Sequence, residues 1–261
     1  MTTFRITLAY DGTDFVGWQR QAAGVSIQGL IEDALRELDG RDVTVMGAGR
    51  TDAGVHALGQ VAAFAIERPL AADTVVRALN ARLPSTVRVL SAEEAPASFR
   101  ARADARSKTY RYRIWNGDVV SPFERRFVWH VPGALDVDAM RAAAQLVEGM
   151  HDFAAFQTAG SDVRTTEREI LKSAIESETR DPHSAILTYE VCGTGFLRHM
   201  VRAIAGSLVE VGRGHRPPAW IAHVLASRDR GQAGPTAPAR GLFLVSVVYG
   251  VVQSRFTPKE P

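Results

Sequence analysis

The sequence predicts an α+β, sandwich-like fold of two βαββαβ halves, and three observations lead there. Strand-period and helix-period segments succeed one another in the order βαββαβ, the order restarts after a polar stretch around residues 100–107, and the composition is globular. In the first half Phe4, Ile6, Leu8 and Tyr10 alternate with Arg5, Thr7 and Ala9, a strand that ends at the turn Asp11-Gly12. Ser26 then caps a helix whose Ile27, Leu30, Ile31, Ala34, Leu35 and Leu38 share one face. A short strand at 43–46, a glycine-rich turn and a strand at 60–66 follow. Residues 73–83 read as a helix on Val75, Val76, Leu79 and Leu83, and 87–90 as a strand.

The second half opens with a strand at 108–115 and a helix at 136–148 that Gly149 caps. Strands at 170–175 and 185–192 lead to a helix at 196–211, a short helix after Pro217-Pro218 and a final strand from Leu242. No residue-level repeat links the halves, so the duplication is architectural, like two ferredoxin-like units. The expected division is 1–103 and 104–252, with 253–261 a flexible tail of two prolines and mixed charge. Two such sheets side by side leave a cleft between them, a favoured place for a ligand.

The 261 residues, 46% hydrophobic and 23% charged, exclude disorder and fibrous repeats. A net charge of +2 does not by itself nominate nucleic acid as a partner, so the distribution of charge has to decide. Lysine stands only at 108, 172 and 259, and the other basic residues are arginines, the better side chain for bidentate recognition of phosphate. The lone Cys192 forms no internal disulfide, which fits a reducing cytoplasm, and no Cys/His group has zinc spacing. The apolar-rich run from Leu242 to Val252 falls short of the roughly 18–20 residues a membrane helix needs. No hydrophobic signal core precedes Asp11, so neither secretion nor membrane insertion is expected.

Several motifs fail. Gly47, Gly49 and Gly54 miss the dinucleotide fingerprint because Asp52 stands where its third glycine belongs. Asp11-Gly12-Thr13 resembles a phosphatase loop, yet Ala9 occupies the position of the required acid. The informative segment is Gly47-Ala48-Gly49-Arg50-Thr51-Asp52-Ala53-Gly54-Val55-His56, between two predicted strands. One reading is a glycine-rich connection in which Asp52 makes an Asx-turn. The other is a site in which Arg50, Thr51, Asp52 and His56 crowd a loop whose glycines let a ligand approach the backbone.

Along 196–211, Leu197, Met200, Val201, Ile204, Ala205 and Leu208 cover most of a helix and leave Arg198 and Arg202 as a narrow i, i+4 stripe. If buried, Arg202 must meet a carboxylate or a phosphate, since an unpaired buried charge costs several kcal/mol. If exposed, it has ordinary surface partners. The strand at 108–115 sets Tyr110, Tyr112 and Ile114 on one face and Arg111 and Arg113 on the other, and core tyrosines are the default meaning. Around it Arg100, Arg102, Arg106, Lys108, Arg111 and Arg113 face the single acid Asp104, a basic patch interleaved with aromatics that suits a phosphate backbone.

Together these segments resemble the tRNA pseudouridine synthase A family. Four stretches match in order, at 10–21, 49–61, 108–112 and 196–206, and the run from Gly234 to Val245 looks like the family's ending. The block Gly-Arg-Thr-Asp-Ala-Gly-Val-His is highly specific, while Tyr-x-Tyr is weak alone. The resemblance implies a pseudouridine synthase fold, with the two halves joined into one mostly antiparallel sheet around a central cleft. It also implies a homodimer in the cytoplasm acting on uridines 38 to 40 of the tRNA anticodon stem-loop. In its terms Asp52 is the essential aspartate, Arg202 its ion-pair partner, Tyr110 the stacking tyrosine and Arg50 a holder of the flipped nucleotide's place. Gln19, Arg20, Gln21, His56, Arg102 and Arg106 are further substrate-contact candidates. Arg100 and the run Thr165-Thr166-Glu167-Arg168 depart from the family pattern.

The implied chemistry asks for little beyond side chains. Converting uridine to pseudouridine breaks N1–C1′ and joins C5 to C1′ with no net gain of atoms or electrons, so no cofactor and no metal are expected. An aspartate is ionised at neutral pH and attacks without a helper base. A paired uridine must be extruded first, at a few kcal/mol. Two rivals differ in class: a non-catalytic RNA-binding protein of tandem RRM-like units, against which stands the lack of an RNP1-like aromatic run, and an aspartate-dependent hydrolase of a small phosphate.

Overall fold

Every even residue of the first predicted strand from Phe4 to Tyr10 is buried, and the alternation becomes β1 (Thr2–Tyr10) in the computed structural model, which describes residues 1–158 and 163–250. The chain continues as α1 (Ile27–Asp39), β2 (Met46–Gly47), β3 (His56–Ile66), α2 (Ala72–Asn80) and β4 (Val87–Ala95). The second half runs β5 (Ala105–Gly117), β6 (Trp129–Val131), α3 (Val137–Gln145), β7 (Gly149–Asp152), β8 (Glu167–Asp181), β9 (Ser184–Gly193), α4 (Met200–Gly212), α5 (Trp220–Ser227) and β10 (Leu242–Tyr249). The expected tail at 253–261 lies outside the described residues.

One sheet has the order β4-β1-β3-β10-β5-β9-β8-β7, with β2 on β3 and β6 on β5. Within it β4-β1-β3-β2 and β10-β5-β9-β8 repeat one ferredoxin-like order. Every pairing is antiparallel except β10 with β3 and β5 with β6. The last strand forms the seam: Leu244 of β10 pairs with Ala57 of β3 on one side and with Tyr110 of β5 on the other. That register sets Tyr110 beside the loop that feeds β3. A large core joins inward strand residues such as Phe4, Tyr112 and Leu187 to helix residues such as Ile31, Leu79, Met140 and Ile204. Arg111 and Arg113 point to the opposite face, where with Leu58, Lys172, Glu190 and Phe243 they line an open groove of about 440 Å³.

The differences from expectation have local causes. Val43 and Val45 are buried as a strand pattern requires, but α1 side chains take the backbone of Val45: Glu32 accepts from its N–H and Gln28 donates to its carbonyl. The ladder therefore starts only at Met46. Strand β3 begins at His56 rather than at 60, because its first residues pair with Tyr10 and with the distant β10. The α3 helix is capped by Asp136, whose carboxylate accepts from Ala139 N–H, and closes on Leu146; Gly149 (φ 95°) opens β7 instead of capping it. The short strands β6 and β7 add to the predicted set. Most consequentially, His199 adopts φ 62°, so α4 starts at Met200 and Arg198 lies before it. Arg198 and Arg202 are not one helical stripe.

Candidate active site

The loop between β2 and β3 carries Asp52 and is pinned on three sides. Thr51 is buried and shares a 2.8 Å hydrogen bond with the Tyr10 hydroxyl. Burial pushes that phenol up to about 12, against the hydrogen bonds of Thr51 and Gln60. Gln60, fully buried on β3, grips Gly49 at both ends: its amide donates to the Gly49 carbonyl at 2.7 Å and its oxygen accepts from the Gly49 N–H at 3.3 Å. On the third side the segment after β1 lies against the loop so closely that side chains do not fit. A Cβ on Gly12 would stand 1.9 Å from the Val55 carbonyl oxygen, and one on Gly17 (φ 105°) would stand 2.5 Å from that of Thr51. Trp18 N–H then donates to the same Thr51 carbonyl at 3.0 Å.

Arg202 reaches Asp52 from α4. Its Nη1 donates to Asp52 Oδ2 at 3.1 Å and its Nε to the Ala237 carbonyl at 2.8 Å, so one guanidinium joins the aspartate loop to the segment before β10. The two side chains are 15% and 30% exposed, which puts the pair at the mouth of the protein interior. His199 Nε2 approaches the same Oδ2 at 3.3 Å. Tyr110, 6% exposed, lines the pocket with Asp52, and its ring meets Phe196 edge-on at 4.9 Å. Burial, reinforced by Tyr10 and by the Asp52 charge, raises the Tyr110 phenol far above its ordinary range, so it is a neutral hydroxyl at any physiological pH. Asp52, held by the Arg202 guanidinium, thus faces an aromatic wall across one small pocket, although Asp52 and Arg202 are 150 residues apart.

The sequence profile of the family described as tRNA pseudouridine synthase matches residues 6–103 and 143–250. The chain belongs to the tRNA pseudouridine synthase family. Similar relatives are the tRNA pseudouridine synthase A of Myxococcus xanthus, 48% identical over 95% of this chain and 92% of the relative, and that of Pelobacter propionicus, 46% identical over 95% and 100%. That of Solibacter usitatus is 48% identical over the same shares, 95% and 100%.

The other residues that the family resemblance singles out are placed unequally. Arg50 is exposed at the rim of the Asp52 pocket, as is Arg198. Arg102 and Arg106 are exposed on the approach to β5, and neither they nor Arg50 has an acidic partner among the described residues. Lys108 runs beside Gly49; burial, with Arg102 nearby, lowers its ammonium to about 8. Arg168 is lowered by burial and, secondarily, by the same Arg102. Arg20, by contrast, is held by Glu32 and Asp33, both at 2.7 Å, so its charge is already matched. Gln19 and Gln21 are exposed, and the Gln21 amide donates to the Val16 carbonyl.

His56 is turned into the interior. It is 1% exposed, stacked on Phe243 at 4.7 Å, and its nitrogens meet Gly12 N–H and the Arg240 carbonyl. The turn at Gly54 sends the chain into β3, and His56 enters the interior with it. Phe196, Gln60, His199 and Thr158 are site residues that composition did not single out. Among the described residues no helix is long and apolar enough to cross a membrane, and no group of three or more His, Cys, Asp or Glu is placed to hold a metal ion.

Proposed function

We infer that the chain is a tRNA pseudouridine synthase that isomerises uridines 38, 39 and 40 of the anticodon stem-loop, with Asp52 as the nucleophile. The observation that carries this reading is that Asp52 and Tyr110 line one pocket while Arg202 bonds the Asp52 carboxylate, within a chain of the synthase family. Asp52 opens the N1–C1′ bond, and the freed uracil turns against Tyr110 and Phe196. C5 then bonds to C1′, and the C5 proton leaves as N1 gains one, so atoms balance. Arg202 keeps the carboxylate in register throughout. Exposed Arg50, Arg102 and Arg106, with Lys108 and Arg168, offer a basic margin for the phosphates of a stem-loop whose target base has been extruded. A cytoplasmic homodimer completes the reading, and the open sheet face around Arg111 and Lys172 leaves room for a second copy.

Incubating the protein with transcribed tRNA and no additive tests the reading. Release of the C5 hydrogen and pseudouridine at 38 to 40 are expected; tRNA bound but unmodified would favour an RNA-binding protein instead.

Tyr110→Phe separates stacking from the hydroxyl. It should bind tRNA normally yet turn over about 10²-fold more slowly, the usual scale for losing a proton-handling group. Because the phenol of Tyr110 is held neutral, the wild-type rate should show no loss from its ionisation up to about pH 10. Equal turnover in Tyr110→Phe would remove the hydroxyl from proton transfer.

A further inference from the structure

Asp52 is approached by two side chains on the same oxygen. Arg202 Nη1 and His199 Nε2 lie 3.1 and 3.3 Å from Oδ2, while Oδ1 has no protein partner among the described residues. His199 is itself held: its Nδ1 is 2.8 Å from Thr158 Oγ1. These contacts determine where the ring proton sits. Burial lowers the imidazole below its ordinary range, with Arg202, Arg198 and Arg230 adding to the effect against the pull of Asp52, so the ring is neutral at pH 7 and has one N–H. A lone pair on Nε2 facing a carboxylate oxygen would repel it, so the N–H is on Nε2, 3.3 Å from Asp52 Oδ2. Nδ1 is then an acceptor, and the Thr158 hydroxyl is its donor.

The backbone agrees with this assignment. His199 and Arg228 are the only non-glycine residues with positive φ among those described, and the φ of 62° at His199 makes Met200 the first residue of α4. Sparsely populated backbone of this kind persists where surrounding contacts over-determine it, and it gathers at functional sites. Here it turns the imidazole toward Asp52 while Arg202 projects from the first turn of α4.

We propose that His199, held by Thr158, is a positioning residue that shares Asp52 Oδ2 with Arg202 and so presents Oδ1 to the target nucleotide. The proposal rests on Asp52 being the nucleophile. It deepens that reading by assigning which carboxylate oxygen reacts and which side chains hold the other.

His199→Gly tests it without backbone strain, since glycine adopts the left-handed region freely. The expected kcat falls about 10- to 100-fold, the usual range for a residue that orients another, with tRNA affinity and melting temperature unchanged. Added imidazole should enter the vacated space and restore kcat at least about tenfold, whereas N-methylimidazole, which cannot donate and accept together, should not. Thr158→Val should lower kcat less than His199→Gly does, in the same direction. Wild-type kcat in His199→Gly, or a loss that imidazole does not relieve, overturns the proposal. Asp52→Asn measured alongside separates the two levels. If it is inactive while His199→Gly is fully active, only the positioning role fails; if it turns over, the nucleophile reading fails.

Discussion

Asp52→Asn is expected to bind tRNA as tightly as the parent and to form pseudouridine at least about 10⁴-fold more slowly. The amide is nearly isosteric with the carboxylate, and its oxygen can still accept from Arg202 Nη1, so the loop pinned by Thr51 and Gln60 has no reason to move. What disappears is the anion. Nucleoside chromatography of digested tRNA measures the loss, and filter binding checks that the complex still forms. Residual activity above about one per cent would mean that the carboxylate assists rather than attacks.

Arg202→Met should be the next most damaging change, for two reasons that separate experimentally. Its guanidinium makes two hydrogen bonds, one to Asp52 and one to the Ala237 carbonyl, and methionine replaces neither. Losing the first leaves the carboxylate without its strongest partner, and kcat should drop about 10²- to 10³-fold, as when one preorganised charge contact is removed from an active site. Losing both should destabilise the fold by about 2–3 kcal/mol. That is below the 3–5 of a fully buried broken pair, because Asp52 keeps 30% of its surface in water. Urea denaturation reads the second effect and single-turnover rates the first. Arg202→Lys restores a charge but cannot reach both acceptors with a planar fork, so it should recover stability more than rate. An Arg202→Met protein with normal kcat would remove the ion pair from the mechanism.

Features written in local pattern were legible from the sequence. The alternation of β1, the Ser26 cap of α1, and the division of β5 into a tyrosine face and an arginine face follow from period and cap chemistry, and all recur in the structure. Features set by distant partners were not legible. The early start of β3 depends on pairing with β10, nearly two hundred residues later. Val43 and Val45 alternate like a strand, but the side chains of Gln28 and Glu32 claim the backbone. At 196–199 the apolar spacing continues the helical stripe without a break. Only the left-handed His199 ends it, and periodicity carries no signal for that.

The same division runs through the site. Arg50 and Asp52 stand in one specific block, but nothing in spacing ties Asp52 to Arg202, and that pairing came with the family resemblance. Proximity in the motif does not fix surroundings: His56 belongs to the block and turns inward with β3, and Arg20 sits in a matching stretch and pairs with Glu32 and Asp33 of α1.

The fold explains why one pocket can hold residues from both ends of the chain. Strand β10 bridges the halves, so Tyr110 and the loop before β3 become neighbours through Leu244, and Ala237, just upstream, receives Arg202. The most direct measurement is the crystal structure of Asp52→Asn bound to an anticodon stem-loop with uridine at position 39. The target base should lie out of the stem against Tyr110, with the side-chain atom of residue 52 that Arg202 and His199 leave free within about 3.5 Å of the ribose C1′ or the ring C6. A uridine still stacked in its stem, or lodged where residue 52 cannot reach it, would contradict the assignment.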